Sequence, residues 1–148
     1  MIAVIQRVRS SSVKVDGEIV GKIDKGLNIL LGVKKGDTSE DVKKLVSKIV
    51  NLRIFQDEND KMNLSLLDIK GKALIISQFT LAGNIKRGRR PSFDSSENPA
   101  VAKELYEEFI DDMIKEGIEV QTGVFAAMMD VSIQNDGPVT FIVDSKEI

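Results

Sequence analysis

Strand-like runs dominate this chain and only two segments carry a helical period, an imbalance that decides which folds are open to it. "IAVIQRV", "SVKV", "EIVGKI" and "LNILLGV" fill the first third, short and β-branched, with Ser10–Ser12, Asp16-Gly17 and Lys25-Gly26 as breaks between them. A helix follows, capped by Thr38, with Val42, Leu45, Val46, Ile49 and Val50 at helical spacing. "RIF" and "KALIISQFTL" return to strand, separated by the polar "QDENDKMN". The second helix has the clearest start: Asn98 as cap, Pro99 in the first turn, then Val101, Ala102, Leu105, Tyr106, Phe109 and Met113, ending near Gly117. "IEVQTG", "MMDVSIQN" and "VTFIVD" close the chain as strands. Many strands with two helices predict an α+β fold, a curved or barrel-like sheet with the two helices packed outside, over one domain spanning residues 1–148.

Two absences restrict the chemistry. The 148 residues include no His and no Cys. That removes the Ser-His-Asp triad, the thiolate nucleophile, the imidazole acid–base and the usual zinc site together. An enzyme built from this chain works with hydroxyls, carboxylates, Lys, backbone groups or the substrate's own atoms, which points to an already activated substrate and calls for no cofactor and no metal. Without Cys there is no disulfide framework, and no apolar run approaches a membrane span, so the expected location is the cytoplasm. The formal net charge is −2, so nucleic-acid binding would have to come from a local basic patch.

Four short stretches stand out. "GNIKRGRR" has the G-x4-G spacing of a P-loop but continues Arg-Arg where that loop needs Lys and a hydroxyl, so the P-loop reading fails. "DENDK" lacks the glycine and late Glu of a calcium loop and reads as a polar turn. Lys86, Arg87, Arg89 and Arg90 concentrate positive charge around Gly88. A solvated loop is the ordinary reading of such a run, and phosphate binding is the functional one, since Arg offers bidentate contacts to phosphate oxygens. "SQFTL" runs directly into that loop and sets hydroxyl, amide and aromatic groups beside it, a set able to stack on and hydrogen-bond a base or ribose. "NDGPVT" carries a hairpin-turn signal, yet Pro138 cannot donate to a ladder, and Gly-Pro is a bond where the cis isomer is accessible. Gly137 and Pro138 would then present two carbonyls, the first with no Cβ beside it, for close approach to a ligand.

"SQFTL" and "NDGPVT" at this separation, with "GRRPSF" and the opening "IQRV", resemble the D-aminoacyl-tRNA deacylases of the bacterial and eukaryotic type across essentially the whole chain. The resemblance implies a small β-barrel-like α+β fold and a homodimer with two active sites at the interface, acting on the 3′ end of aminoacyl-tRNA. It assigns Gly137 and Pro138 to a Gly-cisPro motif inserted from one subunit into the other's site. Ser77, Gln78, Phe79 and Thr80 match the strand that binds the terminal adenosine and the aminoacyl ester. Phe125 and Met129 match positions lining the adenosine pocket, and Arg7 a residue supporting the motif. Where the family commonly has "VFGA" this chain has "VFAA", with Ala126 in the glycine's place.

The implied reaction is hydrolysis of the ester joining a D-amino acid to tRNA, with glycyl-tRNA also accepted and L-aminoacyl-tRNA refused. Such an ester is reactive enough for positioning and oxyanion stabilisation to supply much of the acceleration. A non-catalytic RNA-binding module, or a structural dimer with no ligand, are the rival readings.

Overall fold

A computed structural model describes all 148 residues. Eight strands and two helices run in the order β1 (Ile2–Val15), β2 (Glu18–Ile23), β3 (Gly26–Gly32), α1 (Ser39–Asn51), β4 (Phe55–Gln56), β5 (Met62–Leu64), β6 (Lys72–Ser77), α2 (Pro99–Lys115), β7 (Glu119–Thr122) and β8 (Asp130–Asp144). The main sheet is ordered β2-β1-β3-β6-β7, with β8 along the other side of β1. β3, β6 and β7 are parallel, so α1 and α2 serve as the crossovers between them. The sheet curls until β2 meets β7: a Cβ on Gly21 would lie 2.5 Å from the Thr122 carbonyl oxygen, which is why the smallest residue sits there. The result is the expected α+β fold, a nearly closed barrel-like sheet with two helices outside. No helix is long and apolar enough to cross a membrane.

Alternation along the strands sorts side chains into two cores. Ala3, Ile5, Leu27, Ile29, Leu31 and Ile75 face the helices and pack on Val42, Leu45 and Ile49 of α1 and Leu105, Phe109 and Met113 of α2. Val8, Val13, Ile23, Leu74 and Ile76 fill the inside of the curl. With both faces covered, β3 reads as a near-continuous apolar run. Both helix starts form as their sequences predict: Thr38 and Asp41 make a reciprocal capping box, and the Asn98 side chain accepts from the Ala100 N–H.

Four readings of the strands need correction. Ser10–Ser12 do not break β1, which continues because β8 pairs along it; the buried Ser11 hydroxyl meets the Asn28 side-chain oxygen at 2.9 Å and the Ser132 carbonyl at 3.0 Å. "NDGPVT" is not a turn between two strands. The segments on either side pair with the same strand, Asn135 opposite Val8 and Thr140 opposite Gln6, so Asp136–Val139 bulge out against the single residue Arg7. "KALIISQFTL" is strand only to Ser77. The polar "QDENDKMN" is a small hairpin of β4 and β5, its turn held by the Asp57 carboxylate accepting from the Asn59 and Lys61 N–H groups.

Candidate active site at the carboxyl ends of the parallel strands

Because β3, β6 and β7 are parallel, their carboxyl ends share one edge, and the segments leaving them gather there. At the end of β6, Gln78 gives its N–H to the Leu31 carbonyl at 2.8 Å, then the chain turns into a short 3-10 turn, Phe79–Ala82. Phe79 and Thr80 therefore lie on a turn and not on the strand. A strand would bury alternate side chains, whereas the turn leaves Phe79 59% exposed and Thr80 on the surface. It also leaves the N–H groups of Phe79 and Thr80 without an acceptor inside the turn. The Gln78 side-chain amide donates to the Thr80 hydroxyl, fixing both.

The basic loop hangs from this turn. Paired backbone hydrogen bonds between Asn84 and Ser92, at 2.7 and 2.9 Å, close a tip that carries Lys86, Arg87, Arg89 and Arg90, all exposed and without an acidic partner. At its base Phe93 packs edge-on against Phe79 with ring centroids 5.1 Å apart, and the Ser96 hydroxyl donates to the Phe79 carbonyl at 3.3 Å. The cations thus border an exposed aromatic face.

The segment after β7 completes the edge. Phe125 is half-buried against Tyr106, 5.8 Å between rings, and Tyr106 donates to the Ile75 carbonyl on β6 at 2.9 Å. Burial pushes the Tyr106 phenol up to about 12, the Glu107 charge adding to it, so it stays protonated at neutral pH. Met129 turns the other way and packs against the inner core beside Gly123. Phe125 and Met129 share a loop but seat on opposite faces of the sheet. Between them Ala126 holds φ +64°, in a turn closed by the Ala127 N–H to the Val124 carbonyl at 3.1 Å. This is the third position of a type II turn, where glycine is favoured.

Gly137 and Pro138 occupy the bulge of β8, both exposed, joined by a cis peptide bond. Gly137 has φ +120°, and a Cβ there would meet Val139 Cγ2 at 2.8 Å, the Val139 nitrogen at 3.0 Å and the Arg7 guanidinium at 3.2 Å. Arg7 is buried beneath it. One Arg7 Nη donates to the Ile54 carbonyl at 2.7 Å, and Nε lies 3.2 Å from the Asp136 carboxylate, out of line for a hydrogen bond. Arg9 reaches the same carboxylate.

Asn135 escaped the sequence reading. Its side-chain nitrogen donates to the Arg7 carbonyl at 2.9 Å and the Val139 carbonyl at 3.1 Å, while its oxygen accepts from Gln6 at 3.3 Å and Thr140 at 3.1 Å. It spans the bulge from end to end. The sequence signal was visible, an Asn at the start of Asn-Asp-Gly, but it counted only as a turn-former.

Within one chain the two motif stretches do not meet. β8, β1, β3 and β6 lie side by side, which sets Gly137 three strand spacings from β6, about 14 Å. Along the strands Gly137 is level with Ala73, four residues short of Ser77, about 13 Å more.

Residues 4–144 match the family model described as D-Tyr-tRNA(Tyr) deacylase. The chain is 68% identical over 148 residues to a D-aminoacyl-tRNA deacylase of Persephonella marina and 62% identical to one of Aquifex aeolicus, all of each chain being covered in both cases. Among solved structures it is similar to a c-Myc DNA unwinding element binding protein, at TM-score 0.91 and 38% identity, covering 97% of this chain and 98% of that one.

Proposed function

The chain belongs to the D-Tyr-tRNA(Tyr) deacylase family and is a D-aminoacyl-tRNA deacylase, a hydrolase of the ester between amino acid and tRNA; from that premise we propose a two-chain site in which Gly137 and Pro138 of one copy filter the substrate held at Ser77–Thr80 of the other. The observation that carries this reading is the separation just described, combined with the exposure of both motifs. β8 is an edge strand, and beside the bulge it leaves Phe141 42% and Ile142 71% exposed, an apolar edge that a second copy would cover.

The terminal adenine stacks on Phe79 within reach of Phe125, Met129 remaining a packing residue of the same loop. Lys86, Arg87, Arg89 and Arg90 receive phosphates. Water attacks the ester carbonyl carbon, and the oxyanion settles on the unclaimed N–H groups of Phe79 and Thr80. As the tetrahedral species collapses, the bond to the 3′-oxygen breaks and that oxygen takes a proton. The substrate's own 2′-hydroxyl activates the water, so no protein base is needed. Thr80 as nucleophile is the weaker alternative, since its hydroxyl is held by the Gln78 amide and no base stands beside it.

On a bulge that Asn135 ties across the Arg7 and Val139 carbonyls, with Arg7 packed beneath Gly137, the carbonyls of Gly137 and Pro138 exclude a side chain on the L face of the α-carbon and leave the D face open. Glycine offers nothing to exclude. Deacylation of D-alanyl-, L-alanyl- and glycyl-tRNA by one preparation tests this, with the first and third cleaved and the second resistant. Resistant glycyl-tRNA beside cleaved D-alanyl-tRNA would mean that the D side chain is recognised positively. The work lies in the cytoplasm, where aminoacyl-tRNA is made and used.

A further inference from the structure

α1 and α2 lie together on the outside of the sheet and carry opposite charge. The solvent face of α2 exposes Glu104, Glu107, Asp111 and Glu116, and its Lys103 and Lys115 are paired with acids. Beyond Glu40, the solvent face of α1 is Lys43, Lys44, Ser47, Lys48 and Asn51, followed by Arg53. None of those four cations has an acidic side chain within ion-pair distance, in a protein whose net charge is −2. They line an open depression of about 790 Å³. Lys44 and Lys48 stand one helical turn apart, about 6 Å along the axis, a spacing that suits neighbouring phosphates of one strand. Arg53 at its rim is followed in the chain by the buried Ile54, whose carbonyl accepts from Arg7 beneath Gly137.

We propose that this depression is a second phosphate-binding surface, seating the double-helical backbone of the tRNA whose 3′ end is filtered by the same chain's Gly137 and Pro138. The inference rests on the two-chain reading above. There, the chain that lends its bulge also brings the α1 surface alongside the substrate, while the basic loop comes from the chain that binds the terminal adenosine. The acidic face of α2 repels the same polyanion, so the sign pattern of the two helices orients the tRNA as well as attracting it. Exposed, unpaired cations act mainly through counterion release, which makes the contribution sequence-independent and steeply salt-dependent.

The test compares the parent enzyme with K44A/K48A, both exposed helix positions where Ala is well tolerated. With D-tyrosyl-tRNA the variant should show a KM raised about tenfold, kcat unchanged, and a dependence of log(kcat/KM) on log[salt] flattened by about 1.4–1.8, the yield of two phosphate contacts. With D-tyrosyl-adenosine, which lacks the RNA body, the two enzymes should coincide. K25A/K70A, which removes two exposed cations just before β3 and β6 at the opposite edge of the sheet, should leave the KM for tRNA as it was. An unchanged KM and salt slope in K44A/K48A would overturn the proposal, and so would an equal loss on D-tyrosyl-adenosine. If the parent enzyme cleaved neither substrate, the deacylase reading itself would fail, a different outcome from either.

Discussion

Asn135→Asp changes one nitrogen to oxygen and tests whether the bulge is held as described. The new side chain keeps the shape and the acceptor that meets Gln6 and Thr140. It loses both donors, and an anionic oxygen then faces the Arg7 and Val139 carbonyls that lay 2.9 and 3.1 Å from the amide nitrogen. Leaving two carbonyls unpaired costs about 1–3 kcal/mol each when buried. Asn135 is half-buried, so the lower part of that range applies, about 2–4 kcal/mol in total. Asp136, already paired with Arg7 and Arg9, adds like-charge repulsion. For a chain of this length about 1 kcal/mol moves Tm by roughly 3 °C, giving a loss of about 6–12 °C at pH 7. Protonation restores one donor, so the introduced carboxyl has a folded pKa above its unfolded value. The destabilisation is therefore full above the folded pKa, shrinks as pH falls from there to the unfolded value near 4, and is constant below it. Thermal melts of parent and variant from pH 3.5 to 7.5 check the magnitude and the sign. D-alanyl- and L-alanyl-tRNA deacylation should show the preference for D narrowing as Gly137 and Pro138 loosen. An equal Tm at pH 7, or a deficit that does not change with pH, would refute the clamp.

Other consequences can be measured independently. Ala126→Gly relieves a left-handed residue that costs about 1–2 kcal/mol for Ala, against about 0.4–1 kcal/mol of extra unfolded-chain entropy, so Tm should rise by about 1–3 °C; a fall would show that the turn is unstrained. Thr80→Ala should keep substantial deacylase activity on the water route, and an acyl-enzyme trapped on Thr80 would end that mechanism. Burial would raise the Asp41 carboxyl, but hydrogen bonds from Lys146, Ser145 and the Thr38 N–H together hold it well below the usual range. Asp144 is lowered in the same way, burial opposing and Lys34 prevailing. Both therefore stabilise the fold above their unfolded values, near 4, and lose that stabilisation as pH falls through their folded ones. Asp41→Asn should accordingly lower Tm at pH 7 and flatten its decline between pH 4 and 2, and an unchanged acid slope would count against the network.

Both helices could be read residue by residue, because their signals are local: Thr38 and Asp41 bond each other's backbone within one turn, and Asn98-Pro99 fixes a start whatever packs on it. The apolar run of β3 likewise announced a strand, but its burial on both faces follows from the helices and the inner core that cover it. The edge that gathers Phe79, the basic loop and Phe125 was not legible, since it follows from β3, β6 and β7 being parallel, and a strand's pattern does not say which neighbour it takes or in which direction. Ser10–Ser12 misled for the same reason: their hydroxyls look like a break until Asn28 and Ser132 supply partners.

"NDGPVT" divides the two kinds of information most clearly. Asn-Asp-Gly-Pro reports that the chain must bend and that residue 137 tolerates a φ closed to other side chains, and the structure has both. Whether the bend reverses the chain or throws out a bulge depends on what the flanking residues pair with. Both flanks pair with β1, and Asn135 closes the gap by bonding carbonyls on either side of it. Residue type sets which backbone angles are cheap within a few positions. Which strand lies alongside is settled by hydrophobic burial and hydrogen bonding between segments some 130 residues apart, and that is written in no single stretch of the chain.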